Sequence, residues 1–518
     1  MKKYLVILLA IISILLILLT SFKNDDFTIV SYGNQNSKAQ VKKVYNLSEN
    51  EISRRYSEYD FLKIDKILYN KKISYKELKD IIAKSNKNSF KYGISFDENF
   101  NNILLSEEIN SNNIIDYNTG YLELSSINKV LISKGKILIS LPKYLYVFET
   151  KSEFYDKGYI ELKNVDGYNI RNSALGNISD IINSSSMTLA NMVKQNGKYI
   201  YGYNASEGTE LLDYNILRHA GSTWSLILNY QINPSKKLAS AIKNSIKYII
   251  DNNLIYKDGN RAYVYEEESN EIKLGGNALT LLMLSEYMST FSDYKYLDIA
   301  NQIASAIISF QNKDGSFIHV LKKNLAIKDE YRTVYYDGEA TYSLLKLYGI
   351  TKEISYIESV EKSFDYFINN SYENYHDHWL AHSLDEYSKY KVNEKFVSFA
   401  LLNYTYNSDY VISLNLFNPT GLELLTSTYS LYNRLSKTNR ELFQDFNASK
   451  LMSDIENRTT YLLERYIYPE VAMYFENPKL TLNSFYSKED EFRLRIDDLQ
   501  HSIVGLLAYY NLLKENNT

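Results

Sequence analysis

The chain has 518 residues, a formal net charge of −4 and no cysteine. This length exceeds what one small hydrophobic core fills, so we expect one large domain accompanied by a smaller one. The weak negative charge offers no basic field for nucleic acid, which we therefore exclude as a partner. The lack of cysteine excludes disulfides, thiolate metal sites and cysteine nucleophiles.

The N-terminus carries a membrane-targeting pattern. Lys2 and Lys3 precede an apolar run over residues 4–20, which as a helix would cover roughly 25 Å. The two lysines favour a cytoplasmic N-terminus, and residues 18–22 match a cleavage site poorly. We predict an uncleaved signal anchor over residues 1–26, with a cleaved signal peptide as the alternative. An uncleaved anchor makes the cytoplasmic membrane an expected partner through this helix. Either way, the bulk of the chain is expected outside the cytoplasm.

Residues 27–170 are predicted to form a small mixed α/β or β-rich domain. Charged helical stretches occur at residues 49–66 and 75–84. Alternating apolar residues on either side of polar turns predict two hairpins, one over residues 130–139 and one over residues 144–162.

From residue 171 to the end, apolar residues recur with helical spacing. One class of helices has mixed charged faces: residues 178–194, 235–251, 294–311, 354–369, 394–406 and 447–466. The other class is apolar nearly all round, and its members begin near His219, Gly276, Gly338, Asp377, Gly421 and Asp498. A repeated helical hairpin indicates a closed toroid or an open solenoid. Six pairs suffice to close a ring, and the polar capping repeats of an open array are not evident, so we predict an (α/α)6 toroid over residues 171–518.

Two motifs connect this pattern to a known superfamily. Residues 311–317 match the Q-x-x-D-G-S-F turn that ends outer helices, and residues 336–340 match Y-x-G-E-A, followed by the L-x-x-L-Y-x-x-T spacing through Thr351. The chain thus resembles six-hairpin glycosidase-like (α/α)6 toroid proteins, and residues 214–221 and 376–379 are similar to segments of an exported bacterial branch. That superfamily includes glycoside hydrolases, polysaccharide lyases and sugar epimerases. The resemblance therefore implies a saccharide ligand without specifying the reaction.

Rare residue types gather at the starts of the apolar helices. Five of the six histidines and both tryptophans lie at or near these starts. In a toroid the N-termini of all inner helices face the same rim, so clusters that are distant in sequence converge there. Free N–H groups at helix starts suit hydroxyls or carboxylates. We predict the functional site at this rim.

The catalytic candidates are Glu339, Asp377, His378 and Asp498. Each could serve as a general acid or base, and Asp498 lies beside Asp497 as a glycosidase-like carboxyl pair. Structural alternatives stay open: Glu339 as a favourable acid in a first helical turn, Asp377 as an N-cap, and Asp498 as part of a salt-bridge cluster that closes the ring.

The substrate-binding candidates share a position near the same helix starts: Tyr214, Arg218, His219, Trp224, Asn277, Tyr336, Trp379, Arg495 and His501. Arginine and histidine side chains could bind a uronate carboxylate, and aromatic rings could stack on sugars. Arg218 could equally bond carbonyls at the seam of the ring.

The sequence predicts neither a metal nor a cofactor. His378 and His382 have a metal-chelating spacing, but no third ligand beyond Asp377 is evident nearby. The glycine-rich start at residues 275–277 lacks the lysine of a phosphate-binding loop. Glu423 is interpreted as structural.

The leading functional prediction is a membrane-anchored, extracytoplasmic glycoside hydrolase or polysaccharide lyase acting on an envelope or extracellular glycan. The alternative is a non-catalytic glycan-binding or polysaccharide-assembly protein that uses the same cleft. Zinc-dependent cyclases and prenyltransferases on this fold are disfavoured because their thiolate ligand is absent. If Glu339, Asp377 and Asp498 are all bonded to arginines or backbone groups, the enzyme prediction fails.

Overall fold

The computed structural model describes residues 27–85, 89–172, 177–257, 260–414, 417–487 and 492–516. The chain forms two compact units: the first runs to Asn172 and includes Pro469–Pro478, and the second contains the remaining residues from 173 onward. The predicted signal anchor at residues 1–26 lies outside the described residues. Within the described ranges, no helix is long and apolar enough to cross a membrane.

The first unit is built on an antiparallel sheet. Its strands are β1 Phe27–Gly33, β2 Gln40–Tyr45, β3 Phe61–Ser74, β4 Gly93–Ser95, β5 Ile103–Leu104, β8 Tyr144–Tyr155, β9 Tyr159–Val165 and β10 Tyr168–Arg171, with β6 Ile115–Asp116 and β7 Tyr121–Leu122 paired separately. The strand order is β10-β9-β8-β3-β1-β2, and β4 pairs with both β8 and β5. The helices of this unit are α1 Glu49–Arg55, α2 Tyr75–Lys84, α3 Ser106–Ser111 and α4 Leu124–Ser133.

Some predictions for this unit are confirmed and others are wrong. The second hairpin exists as β8 and β9, and α2 covers the predicted residues 75–84. The first hairpin is wrong, because its leading half forms the end of α4. The amide of Lys136 bonds back to the carbonyl of Leu131, and Gly135 has a positive φ of 71°, which is a helix C-terminal cap. The helix predicted over residues 49–66 stops at Arg55, and β3 follows it.

The second unit consists of two classes of helix. The outer helices are α5 Ile178–Asn191, α7 Lys236–Asn252, α9 Leu297–Ser309, α11 Ile354–Asn369, α13 Glu394–Ser413 and α15 Ala448–Leu463. The inner helices are α6 Ile216–Ile232, α8 Leu274–Phe291, α10 Tyr335–Thr351, α12 His378–Tyr387, α14 Thr420–Leu435 and α18 Ile496–Asn516. Two short helices precede α18 in the chain: α16 Pro469–Ala472 belongs to the first unit, and α17 Pro478–Thr481 begins at the last residue of that segment. Short 3-10 helices occupy Tyr372–Asn374 and Arg440–Phe443.

Burial separates the two classes of helix. The helix α8 buries every residue from Leu274 to Met288, whereas α7 buries a single stripe that includes Leu238, Ile242, Ile246 and Ile249. A helix buried all round must be surrounded by protein, and a helix with one apolar stripe faces solvent on the other side.

The inner helices form a closed ring. Each packs on the next in the order α6, α8, α10, α12, α14 and α18, and α18 packs on α6. At the contact between α18 and α6, which is the seam of the ring, Asp497 of α18 forms an ion pair with the Arg218 guanidinium of α6. The distance from Nε of Arg218 to Oδ2 of Asp497 is 2.9 Å. The predicted toroid is therefore confirmed, with its six inner helices beginning within three residues of the predicted starts.

Short strands connect the helices. They are β11 Gly202–Asn204, β12 Thr209–Glu210, β13 Leu254–Lys257, β14 Arg261–Val264, β15 Ile272–Lys273, β16 Val320–Leu321, β17 Ile327–Asp329 and β18 Arg493–Arg495. Because β11 pairs with β18, the connection before α6 is joined to the connection before α18, which reinforces the seam of the ring.

Candidate functional site

Three inner helices bring a carboxylate and two histidines together. Glu423, in the first turn of α14, is fully buried. Nδ1 of His501 on α18 donates to its Oε1 at 2.7 Å, and Nε2 of His382 on α12 donates to its Oε2 at 2.9 Å. Although burial raises the pKa of Glu423, the two histidines outweigh it and lower that pKa to about 2. Glu423 is therefore an ionised bridge between α12 and α18.

His378 lies beside Glu423 and His501, and its ring nitrogens form no hydrogen bond within the described residues. It begins α12, is 3% exposed, and its ring centroid lies 5.0 Å from that of His501. Neither of its ring nitrogens has a hydrogen-bond partner among the described residues. Burial lowers the pKa of His378 well below its usual value, so the imidazole is neutral. A buried imidazole with both nitrogens unused is unusual, because buried polar groups are normally bonded.

A pair of buried acids lies at the starts of α10 and α12. Asp377 caps α12, with its Oδ1 accepting from the amide of Trp379 at 2.9 Å. In the part of the chain that the structure describes, Oδ2 of Asp377 and Oε2 of Glu339 have no hydrogen-bond partner. Burial, and then the Asp377 carboxyl, raise the pKa of Glu339 well above its usual value. The protonated form of Glu339 is therefore favoured relative to an exposed glutamate.

Glycines make room for both acids. A Cβ on Gly275 at the start of α8 would lie 2.3 Å from Oε2 of Glu339, and a Cβ on Gly338 would lie 2.6 Å from Oδ2 of Asp377. Real Cβ atoms do not approach other atoms so closely, so these positions require glycine.

Aromatic rings surround the histidines. Trp224 of α6 contacts both Trp379 and His382 of α12, and Tyr342 of α10 stacks on His382 with centroids 5.4 Å apart. Tyr335, which is 42% exposed, packs on His378 with centroids 5.7 Å apart. The cluster therefore lies one side chain away from solvent on the Tyr335 side.

The carboxylate of Asp498 interacts with neighbouring residues through both of its oxygens, whereas Glu339 and Asp377 each have one oxygen without a partner among the described residues. Its Oδ2 accepts from the amide of Arg495 at 3.0 Å, and the arginines at 493 and 495 lie within 4 Å of its oxygens. Burial and Asp497 raise the pKa of Asp498 to about 7. Arg495 also pairs with Asp497, so this cluster performs the ring-closing role that was left open as the alternative.

Several predicted substrate-binding residues have structural roles. Tyr214 donates to Nδ1 of His219 at 2.7 Å, while Nε2 of His219 donates to the carbonyl of Ser245, and burial lowers the pKa of His219 to about 3. The amide group of Asn277 bonds the backbone of Val264 and Lys273.

Arg218 pairs with Asp497 and Tyr201 at the seam of the ring. The side chains of Arg218, Tyr214, His219, Asn277 and Arg495 are thus engaged in packing, capping or ring closure, and their role in substrate binding stays a prediction.

The remaining predicted residues stay near the cluster. Trp224, Trp379 and His501 line it directly, and Tyr336 contacts Gly275 beside Glu339. Glu423, which the sequence leads us to interpret as structural, is the member of the cluster that the sequence does not indicate. In the sequence, Glu423 is an acid at the start of an otherwise apolar helix. This pattern does not indicate function, because ordinary acids are also common in the first turn of a helix.

The comparisons with known proteins agree with the ring geometry. No protein-family model and no curated protein matches the chain. A D-mannose isomerase structure matches with a TM-score of 0.50 at 9% identity, covering 66% of this chain and 99% of that one. A cellobiose 2-epimerase from Bacillus thermoamylovorans B4167 matches with a TM-score of 0.47 at 12% identity, covering 65% and 100%.

A GH76 α-mannanase from Bacteroides thetaiotaomicron matches with a TM-score of 0.48 at 10% identity, covering 65% of this chain and 97% of that one. At these identities the likeness concerns the fold. The order of the inner helices, the closure of α18 on α6 and the match to the D-mannose isomerase structure lead to one assignment: the second unit has an (α/α)6 toroid fold.

Proposed function

We propose that this chain is a carbohydrate-active enzyme whose active site is the inner-helix cluster of Glu339, Asp377, Trp224 and Trp379. The observation that carries the proposal is the pair of unused oxygens, Oε2 of Glu339 and Oδ2 of Asp377. Leaving a buried polar group without a partner costs about 1–3 kcal/mol, so these two groups favour a bound ligand that supplies the missing bonds.

The acids divide the work of proton transfer. Burial, and then the Asp377 carboxyl, raise the pKa of Glu339 well above its usual value, which favours Glu339 as the group that donates a proton to a glycosidic oxygen. Asp377 keeps Oδ1 on the cap of α12, and its Oδ2 is the second carboxyl oxygen available to a water or a substrate hydroxyl. Hydrolysis of a glycosidic bond requires one proton donor and one acceptor. Because burial raises the pKa of Asp377 as well as that of Glu339, either carboxyl can carry the proton. A polysaccharide lyase would use the same pair to remove a ring proton and to protonate the leaving oxygen.

The aromatic residues support a sugar ligand. The indoles of Trp224 and Trp379 present apolar faces together with N–H donors, and Nε1 of Trp224 has no partner among the described residues. The solved structures of this fold named above are a sugar isomerase, a sugar epimerase and a mannanase, which favours the same ligand class.

The apolar segment at residues 4–20 supports the proposed location. Preceded by two lysines, it is the pattern of a single-pass anchor with the N-terminus inside. We place the two units outside the cytoplasm on this ground, where envelope or extracellular polysaccharide is the substrate.

The test is depolymerisation of bacterial envelope polysaccharides by a protein of residues 27–518. The measured quantity is the release of reducing ends, which indicates hydrolysis, or of unsaturated ends, which indicates a lyase. Glu339→Gln should reduce the rate by about 100-fold or more, because a general acid contributes about 10²–10⁴-fold. Asp377→Asn should also reduce it while keeping the cap.

Asp337→Asn is the matched control. Asp337 is buried in the same helix, but its oxygens are occupied by His319 at 3.2 Å and Tyr372 at 3.1 Å. Asp337→Asn should therefore retain turnover at equal folded content. Equal activity in wild type and Glu339→Gln would refute the acid role. Binding without turnover would favour a non-catalytic glycan-binding protein.

A further inference from the structure

We propose that His378, Glu423 and His501 form a binding site for a divalent transition-metal ion of the zinc class. The site goes beyond the proposed function, because metal binding can be measured with no carbohydrate present. Each residue offers one ligand atom, and the three atoms lie within 4.8 Å of one another.

The donor set matches known zinc chemistry. Two histidines and one glutamate are the protein ligands of a common class of catalytic zinc site, which leaves a fourth position for water or substrate. With metal–ligand bonds of about 2.0–2.2 Å, ligand atoms around a tetrahedral ion are roughly 3.3 Å apart. The separations of up to 4.8 Å between the three ligand atoms exceed this value, so binding of an ion requires the side chains to close on it.

His378 provides the independent sign that a ligand is missing. It is 3% exposed, and neither Nδ1 nor Nε2 has a hydrogen-bond partner within the described residues. A histidine that only filled the core would be expected to bond at least one nitrogen, as His219 does with both of its own. Coordination by an ion uses one nitrogen of His378 and explains its position beside Glu423.

A supporting shell orients the glutamate. Nε2 of His382 donates to Oε2 of Glu423 at 2.9 Å, and the Ser427 hydroxyl donates to Nδ1 of His382 at 2.8 Å. These two hydrogen bonds fix the tautomer of His382. The other carboxylate oxygen of Glu423, Oε1, bonds His501. Partners of this kind hold the ligands of metal sites in position.

The three ligands also come from three rigid inner helices, α12, α14 and α18, which pack in sequence around the ring. A site built on helices costs little ordering when an ion binds, and the aromatic rings of Trp379 and Tyr335 shield it from bulk water. Three protein ligands suit one ion that keeps a fourth coordination position open. The rings of Trp379 and Tyr335 lie around His378, which is one of these ligands.

The experiment is a titration of chelator-treated residues 27–518 with Zn²⁺ in competition with a chromophoric chelator, and with Co²⁺ followed by visible d–d absorption. We expect one equivalent to bind, with a Co²⁺ spectrum typical of four- or five-coordination. His378→Ala, His501→Ala and Glu423→Gln should each weaken binding by more than the about 10–100-fold that loss of a supporting partner costs.

Two further variants separate coordination from folding. His382→Ala should weaken Zn²⁺ affinity by about 10–100-fold, because it removes only a supporting partner. His376→Ala is the matched control: this histidine precedes the same helix and bonds Asn407, outside the cluster, so binding should be unchanged. Circular dichroism and thermal unfolding verify that each variant is folded.

The outcomes distinguish this site from the proposed enzyme activity. No stoichiometric Zn²⁺ or Co²⁺ binding by the wild type, or binding that survives His378→Ala and His501→Ala together, would overturn the metal site. Glu339→Gln should bind Zn²⁺ normally. Metal binding by a protein that shows no turnover would reject the enzyme proposal and leave the metal site standing.

Discussion

The indole of Trp224 meets the indole of Trp379 with ring centroids 5.6 Å apart and planes tilted by 42°. Trp224 belongs to the first inner helix, α6, and Trp379 to the fourth, α12, so the pair joins opposite sides of the six-helix ring. Both side chains are at most 2% exposed. The two indoles therefore contact each other across the interior of the toroid, beside the histidine cluster.

The tryptophan pair should be a large contributor to stability. Trp224→Ala should lower the free energy of unfolding by about 3–5 kcal/mol, because it removes a buried aromatic side chain and leaves a cavity. Trp224→Phe keeps an aromatic contact and should cost clearly less. Urea unfolding followed by far-UV circular dichroism measures both. A loss below 1 kcal/mol for the alanine variant would contradict this assignment of the ring interior.

Adjacent glycines at the start of α8 provide a matched pair. Gly275→Ala should destabilise the protein by about 1–3 kcal/mol and reduce turnover, because its Cβ would meet Oε2 of Glu339 at 2.3 Å and Leu217 at 2.5 Å. Gly276→Ala should be neutral or stabilising, by up to about 1 kcal/mol, since its nearest neighbour lies at 3.9 Å and alanine favours the helix. Similar effects from both substitutions would contradict the close approach at Gly275.

Asp498 should make stability depend on pH. Burial raises its pKa to about 7, from about 3.9 in the unfolded chain, so the folded state binds the extra proton. The stability associated with the protonated form is present below pH 4 and is lost as pH rises through 7. Asp498→Asn cannot ionise and can still accept the Arg495 amide.

Relative to the wild type, the Asp498→Asn variant should gain stability between pH 4 and pH 8, reaching roughly 2–4 kcal/mol. Thermal unfolding across this pH range measures the difference. A constant difference between the two proteins would contradict the raised pKa. Asp497→Asn is the comparison, and it should lower stability, because Asp497 holds Arg218 and Arg495 at the seam.

The first unit depends on a buried charged cluster. Lys63 contacts Asp65 at 2.5 Å and Glu107 at 3.1 Å, and all three side chains are fully buried. Lys63→Met should cost about 3–5 kcal/mol, because it leaves two buried acids without their cation. The double variant Lys63→Met with Asp65→Asn should recover part of this loss. Calorimetry that resolves the two units would show the change in the first one, and an unchanged transition would contradict the role of Lys63.

The sequence was sufficient for the helices of the toroid and insufficient for parts of the first unit. A helix such as α8 reveals itself locally, because apolar residues from Leu274 to Met288 exclude a solvent-facing stripe. The hairpin predicted over residues 130–139 is wrong, because short apolar runs do not distinguish a strand from a buried helix end. There the tertiary packing of Val130 and Leu131 into the core decides the helix.

The sequence by itself determined the six-pair toroid and the concentration of histidine and tryptophan at the inner-helix starts. Only the tertiary structure decided which of these residues act together. Asp498, with arginines on either side, closes the ring, while Glu423, an ordinary-looking helix acid, bridges His382 and His501. The reason is physical: helical spacing fixes which side of a helix a residue faces. The partner that it meets across the ring depends on how helices distant in the chain pack together.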